Sequence, residues 1–110
     1  MTKHDENGMW SIVMFDLPVL TKAQRREATR FRKVLIDLGW SMDQYSVYVR
    51  YVPTGTSIAP EILALRKELP KNGKVEIVSV TDRQWSKAIR IVNDAEVEQP
   101  KAPSQLTIFG

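Results

Sequence analysis

The sequence contains no cysteine and a single histidine, His4. Without cysteine the chain forms no disulfide, binds no metal through thiolates and has no thiol nucleophile. His4 is the only histidine and lies in a polar N-terminal stretch. No histidine is therefore available in the rest of the chain for acid–base catalysis. The lack of cysteine is compatible with a reducing compartment, and we expect a cytoplasmic protein.

Long hydrophobic runs and glycine-rich loops are also missing. No apolar segment approaches the roughly 18 residues that a membrane-spanning helix needs, so we expect no membrane partner. Residues 1–8 are polar and lack the apolar core of a signal peptide. Gly39, Gly55 and Gly73 stand alone in predicted turns, and none belongs to a phosphate-binding loop.

What is present is a small, mildly basic chain. Its 110 residues are 43% hydrophobic, which is typical of one globular domain. A domain of this size buries a modest fraction of its surface, which leaves room for a partner chain to complete the core. The net charge is +3, but residues 21–52 hold seven Lys or Arg against three acidic residues. The positive charge is therefore concentrated in the first half, mostly on one predicted helix.

Hydrophobic periodicity predicts alternating strands and helices. The first long helix carries a capping-box pattern, Thr21 with Gln24, and Gly39 follows its end. The predicted elements are a strand over residues 9–16, a helix over 21–38, a strand or bent pair of strands over 40–52, a helix over 57–69, a strand over 74–81, a helical turn from Thr81, and a short strand over 88–92.

This order predicts an α+β, ferredoxin-like fold (β-α-β-β-α-β) over residues 9–93, with two helices on one face of an antiparallel sheet. The first strand is apolar on both faces, which predicts a face-to-face homodimer. Residues 1–8 form a polar extension. Residues 94–110 are interpreted as a Pro-containing linker that ends in an extra C-terminal strand docking on the partner protomer. The docking side chains would be Leu106, Ile108 and Phe109.

Asp16 is the main candidate for chemistry. The stretch IVMFDLP (residues 12–18) reads as a buried strand that ends in a carboxylate. Asp-Leu-Pro is also a good turn opener, so a purely structural role is one interpretation. The other is a catalytic carboxylate at the rim of the sheet that binds Mg²⁺ together with water and phosphate. In a symmetric dimer, two copies of Asp16 would share one ion.

The basic helix is the second candidate. A charged helix face is often only a solvated surface, but this one favours Arg over Lys, four to two. That preference suits bidentate phosphate contacts. The predicted nucleic-acid-binding residues, including one on the following strand, are Lys22, Arg25, Arg26, Arg30, Lys33 and Arg50.

Four segments in this order resemble a known family. They are MFDLP at the end of the first strand, the Arg-rich helix ending in LGW, then MDQYSVYVR, and finally VSVTDRQW before a short strand. Together they resemble the Cas-two family, the smaller of the two core CRISPR adaptation proteins, in the form found beside Cas9-type systems. The resemblance covers residues 9–92, which is most of the chain.

The resemblance implies a ferredoxin-like fold, symmetric dimers through the sheet faces, and a C-terminal strand that adds to the partner's sheet. It implies a role in spacer acquisition for antiviral defence, in which the family bridges two dimers of the CRISPR integrase and holds prespacer duplex DNA. Many members are described as metal-dependent endonucleases on RNA or double-stranded DNA. The family's metal-binding aspartate corresponds to Asp16, and basic residues of its first helix correspond loosely to Arg25, Arg26 and Arg30.

Three functions follow as alternatives. The first is an Mg²⁺-dependent phosphodiesterase built on two Asp16 carboxylates. The second is a non-catalytic adaptor that binds duplex DNA through backbone charge and shape, and we favour this role in the cell. The third is a ferredoxin-like regulatory or toxin-like RNase domain unconnected with spacer integration. The sequence leaves open whether the protein is an enzyme.

Overall fold

The structure is a computed structural model that describes residues 8–102 of the chain. Its helices and strands follow the predicted order, with one further strand near the end. They are β1 (Met9–Asp16), α1 (Lys22–Asp37), β2 (Ser41–Gln44), β3 (Val47–Val52), α2 (Ala59–Glu68), β4 (Lys74–Thr81), α3 (Asp82–Ser86), β5 (Arg90–Val92) and β6 (Ala95–Val97).

Four strands form one antiparallel sheet in the order β2-β3-β1-β4. β1 is central, since its residues pair with β3 on one side and with β4 on the other. The apolar residues on both faces of β1 suit this position between two neighbouring strands. With two helices joining the strands, the order is that of a ferredoxin-like fold, so the predicted fold class is confirmed.

The first helix begins where its capping box predicts. The Thr21 hydroxyl accepts a hydrogen bond of 3.0 Å from the Gln24 backbone N–H, and the Gln24 side chain accepts one of 3.0 Å from the Thr21 N–H. These bonds satisfy amide groups that a helix otherwise leaves without partners. Beyond Leu38 the chain reverses at Gly39, whose φ of 100° favours glycine.

The main core lies between the helices and the sheet. Val13 and Phe15 of β1 pack against Phe31 and Leu35 of α1 and against Leu65 of α2, and all but Phe15 are fully buried. The Phe15 and Phe31 rings meet edge to face, with centroids 5.4 Å apart. This packing places the odd-numbered residues of β1 on the helix side of the sheet, because successive strand residues point to opposite faces.

The opposite face of the sheet is only half covered. Trp10 and Val49 are buried there beneath Trp85 and Ala102. Further along the same face, Met14 is 36% exposed and Val78 is 40% exposed. The predicted face-to-face dimer would cover this remaining apolar strip, and it stays a prediction.

The interpretation of the chain after residue 93 as a linker is wrong at Ala95–Val97, which pairs with β5 as strand β6. Asn93 and Asp94 form the intervening turn with φ angles of 52° and 65°. Two successive positive φ values are those of a type I′ hairpin turn, which Asn and Asp tolerate. The available sequence signal was the Asn-Asp pair itself, since both residue types are common in such turns.

Both predicted terminal segments lie outside the described residues. This applies to residues 1–7 of the N-terminal extension and to the docking strand with Leu106, Ile108 and Phe109. None of the helices within residues 8–102 combines the length and the hydrophobicity of a transmembrane segment.

Candidate functional site

Asp16 is the last residue of β1, and its side chain is exposed. Its neighbours Phe15 and Leu17 are buried in the main core. Because side chains alternate along a strand, this arrangement turns the Asp16 carboxylate toward the opposite face. The buried strand of the sequence therefore ends in a carboxylate on the face that also carries the exposed Met14.

Two charged residues of β4 share this rim with Asp16. Lys74 lies opposite Asp16 in the strand register, and Glu76 lies opposite Met14. The Lys74 ammonium is 3.0 Å from Oε1 of Glu76. The pKa of Lys74 is raised, first by the hydrogen bond to Glu76, then by the charge of Glu76, and to a smaller extent by the charge of Asp16. Lys74 therefore stays protonated beside the carboxylates at neutral pH.

The donor set at this rim fits a magnesium ion held largely by water. Asp16 and Glu76 supply the hard oxygen ligands that Mg²⁺ prefers, and Mg²⁺ commonly binds only one or two carboxylates besides water and phosphate. Within residues 8–102, however, no group of three or more metal-ligating side chains comes together. One protomer thus offers an incomplete site, which a second copy of Asp16 would extend.

Two further acidic residues, Asp82 and Asp43, do not reach this rim. Asp82 accepts a hydrogen bond from Trp10 Nε1 at 2.8 Å. It follows Thr81, which pairs with Met9 at the opposite end of β1 from Asp16. Asp43 forms an ion pair with Arg90. Both carboxylates therefore have structural partners elsewhere.

The predicted phosphate-binding residues of α1 differ in their surroundings. Lys22 and Arg26 are exposed, and neither side chain makes a hydrogen bond or ion pair within residues 8–102. Arg25 donates hydrogen bonds of 3.1 Å to the backbone oxygens of Val19 and Leu20, so it steadies the loop before the helix. The first turns of α1 therefore present charge that no carboxylate of the described chain neutralises.

Arg30 and Lys33 already have acidic partners. Arg30 donates to Oε2 of Glu27 at 2.9 Å and also pairs with Glu68, which links α1 to the end of α2. Hydrogen bonds to these two carboxylates raise the pKa of Arg30. Lys33 lies 3.6 Å from Asp37. A phosphate at these positions would have to compete with carboxylates of the same chain.

Arg50 lies on the helix side of the sheet. Its guanidinium is 3.3 Å from Oε1 of Glu61 on α2, and 5.3 Å from the ring centroid of the buried Trp40. Both side chains of the ion pair are only 22% exposed. Arg50 therefore belongs to the sheet–α2 junction, away from the open face that carries Asp16.

Sequence reasoning missed three residues near the rim. Lys74 and Glu76 lie on the same face of a predicted strand, but the sequence did not indicate that this strand lies beside β1. The third is Arg32, whose guanidinium lies 4.0 Å from the ring centroid of Tyr45. Tyr45 sits in the turn between β2 and β3 and is 70% exposed, although the sequence placed it on a strand face.

Comparison with known proteins agrees with the predicted resemblance. Residues 9–88 match the family model described as CRISPR associated protein Cas2. The chain is 42% identical over 101 residues to a CRISPR-associated endoribonuclease Cas2 of Paracidovorax avenae, an alignment that covers 92% of this chain and 94% of that protein. It is 35% identical over 102 residues to the protein of that name in Flavobacterium psychrophilum, covering 93% and 89%.

A solved structure has the same fold. The crystal structure of Streptococcus pyogenes Cas2 aligns with a TM-score of 0.56 and 17% sequence identity, over 76% of this chain and 99% of that one. At this level of identity the likeness concerns the fold alone.

Proposed function

The chain belongs to the CRISPR-associated Cas2 family, and from that premise we propose that it is a cytoplasmic, dimeric nucleic-acid-binding protein of CRISPR adaptation with an Mg²⁺-assisted phosphodiesterase site at Asp16. The observation that carries the proposal is the position of Asp16. It is an exposed carboxylate at the end of the central strand, on the sheet face that is incompletely covered.

The half-covered face supports the dimer. Met14 and Val78 are apolar strand residues that remain exposed to solvent. They lie on the same face as the rim that carries Asp16. A second copy packed face to face across a two-fold axis would cover this strip and bring a second Asp16 toward the first. The dimer thus completes both the apolar face and the set of carboxylates.

In this site Asp16 from each protomer would hold the ion. A bound Mg²⁺ supplies charge stabilisation at the phosphate and a more acidic water. Lys74 remains protonated, so it offers a positive charge to a phosphate oxygen and holds Glu76 in place. Lys22 and Arg26 attract the sugar–phosphate backbone toward the protein.

A second candidate function is a non-catalytic adaptor that holds prespacer duplex DNA and bridges integrase dimers. The shortage of ligands in one protomer favours it, since no cluster of three metal-ligating side chains occurs among the described residues. Among the predicted binding residues, only the side chains of Lys22 and Arg26 have no hydrogen-bond or ion-pair partner within residues 8–102. Such exposed charges suit binding to the phosphate backbone without base readout.

Cleavage of labelled single-stranded RNA and duplex DNA separates the two functions. We would measure it with Mg²⁺ and with chelator, for the wild type, for Asp16→Asn and for Asp37→Asn, a surface carboxylate on α1. Metal-dependent cleavage that is lost only in Asp16→Asn supports the phosphodiesterase. Salt-sensitive duplex binding by all three proteins without cleavage supports the adaptor.

A third outcome would contradict both functions. Weak binding that does not change with salt concentration would exclude a phosphate-binding role, because contacts with phosphates make affinity fall steeply as salt rises. It would instead fit the ferredoxin-like regulatory domain. Cleavage of RNA without any duplex binding would favour the toxin-like RNase.

A further inference from the structure

The turn between β2 and β3 presents an exposed aromatic ring beside an arginine. Tyr45 is 70% exposed, and the Arg32 guanidinium lies 4.0 Å from its ring centroid. Arg32 Nε also lies 3.4 Å from the Tyr45 backbone oxygen, to which it donates a hydrogen bond. The arginine therefore covers part of the ring, and most of the remaining ring surface is open to solvent.

Arg32 is held by aromatic contacts and not by an acidic side chain of the described residues. Its guanidinium also lies 5.6 Å from the ring centroid of Phe15, so it sits between two aromatic rings. Within residues 8–102 it has no carboxylate partner, unlike Arg30 and Arg50. An ordered cation without a counter-ion next to an exposed ring is suited to bind a ligand that is both aromatic and anionic.

The pair lies at the same end of β1 as Asp16. The Phe15 backbone N–H donates a hydrogen bond of 3.1 Å to the carbonyl oxygen of Ser46, the residue after Tyr45. The turn therefore packs against the strand position immediately before Asp16. Tyr45 lies at this end of β1 on the β3 side, with Arg32 reaching it from the helix side of the sheet, while Lys74 lies on the β4 side.

Backbone hydrogen bonds also hold the turn that carries Tyr45. Backbone pairing continues across it, from Gln44 opposite Val47 to the bond between Phe15 and Ser46. A solvated tyrosine ring also gains little from burial. Burial of the Tyr45 ring therefore contributes little to the stability of this turn.

We infer that Tyr45 and Arg32 form a binding site for an unpaired nucleotide, whose base stacks on Tyr45 while a neighbouring phosphate pairs with Arg32. The inference rests on the proposed nucleic-acid site at Asp16. Stacking on an exposed ring requires a free base face, which a single strand offers and a duplex interior does not. The site selects single-stranded substrate, or unpaired ends, with little preference for base identity.

Binding of two single strands of equal charge tests the inference. We would measure fluorescence anisotropy of the full chain with labelled oligothymidylate of about twelve nucleotides and with an abasic strand of equal length. The variants are Tyr45→Leu, which removes the aromatic face, and Tyr45→Phe, the matched control that keeps it. Thermal unfolding of both variants checks that the exposed position leaves the fold intact.

The wild type is expected to bind oligothymidylate at least about fivefold more tightly than the abasic strand, as one stacked base would give. Tyr45→Leu should lose that preference without a change in abasic binding, and Tyr45→Phe should keep it. Equal wild-type affinity for both strands overturns the inference, whatever the variants do. If the wild type binds neither strand nor duplex, the proposed function itself fails.

Discussion

The indole Nε1 of Trp10 donates a hydrogen bond of 2.8 Å to Oδ1 of Asp82, which lies 72 positions later in the chain. The same indole stacks on Trp85 with ring centroids 4.9 Å apart. Trp85 Nε1 in turn donates to the backbone oxygen of Pro100 at 2.8 Å. These contacts hold the C-terminal segment over one half of the sheet face and leave the half near Asp16 open.

Replacing Asp82 should destabilise the protein. Asp82→Ala leaves the buried Trp10 N–H without its acceptor, which costs about 1–3 kcal/mol of unfolding free energy. Asp82→Asn keeps an oxygen acceptor and should cost less. Urea unfolding measures both, with Asp37→Ala as the control, since its exposed ion pair with Lys33 contributes about 0.5 kcal/mol or less. Equal losses for Asp82→Ala and Asp37→Ala would contradict the prediction.

The start of α1 depends on its capping box. Thr21→Ala removes the acceptor for the Gln24 N–H and should lower the unfolding free energy by about 1 kcal/mol. Thr29→Ala is the control, because its hydroxyl only donates to the Arg25 carbonyl within the helix and alanine is the better helix former. Chemical denaturation, monitored by circular dichroism, compares the unfolding free energies of the two variants. A Thr29→Ala loss as large as that of Thr21→Ala would argue against capping as the cause.

Arg26 and Arg30 should contribute differently to nucleic-acid binding. Arg26→Ala is expected to lower the slope of log affinity against log salt by about one, because an unpaired guanidinium releases one counter-ion. Arg30→Ala should lower the slope less, since Glu27 and Glu68 already neutralise that side chain. Salt titrations of duplex DNA binding test this. The opposite ranking would mean that Arg30 leaves its carboxylates to bind phosphate.

Lys74 should weaken cation binding at the rim. It lies opposite Asp16, and its positive charge opposes a divalent ion there. We therefore expect Lys74→Met to tighten Mn²⁺ binding by about two- to fivefold, the range that an exposed charge pair contributes. Electron paramagnetic resonance of free Mn²⁺ measures this without any activity assay. Lys71→Met, in the exposed turn before β4, is the control and should have no effect.

Local patterns were sufficient for several elements. The capping box and the following apolar stripe predicted α1 to within one residue at each end, and β4 was predicted over the observed residues. Asp16 was correctly placed at the end of a central strand, because apolar residues on both faces of such a strand form a nearly continuous apolar run before the polar turn. The short β6 was missed because three exposed residues carry little periodic signal.

The sequence by itself determined the order of the main elements, the ferredoxin-like class and an exposed carboxylate at the end of β1, since these depend on short-range periodicity and capping. Only the tertiary structure decided which charges are free. It paired Arg30 with Glu68 and Arg50 with Glu61, and it left Arg32 against Tyr45. Such pairings join residues far apart in sequence, so they depend on how strands and helices pack together. No local pattern encodes that packing.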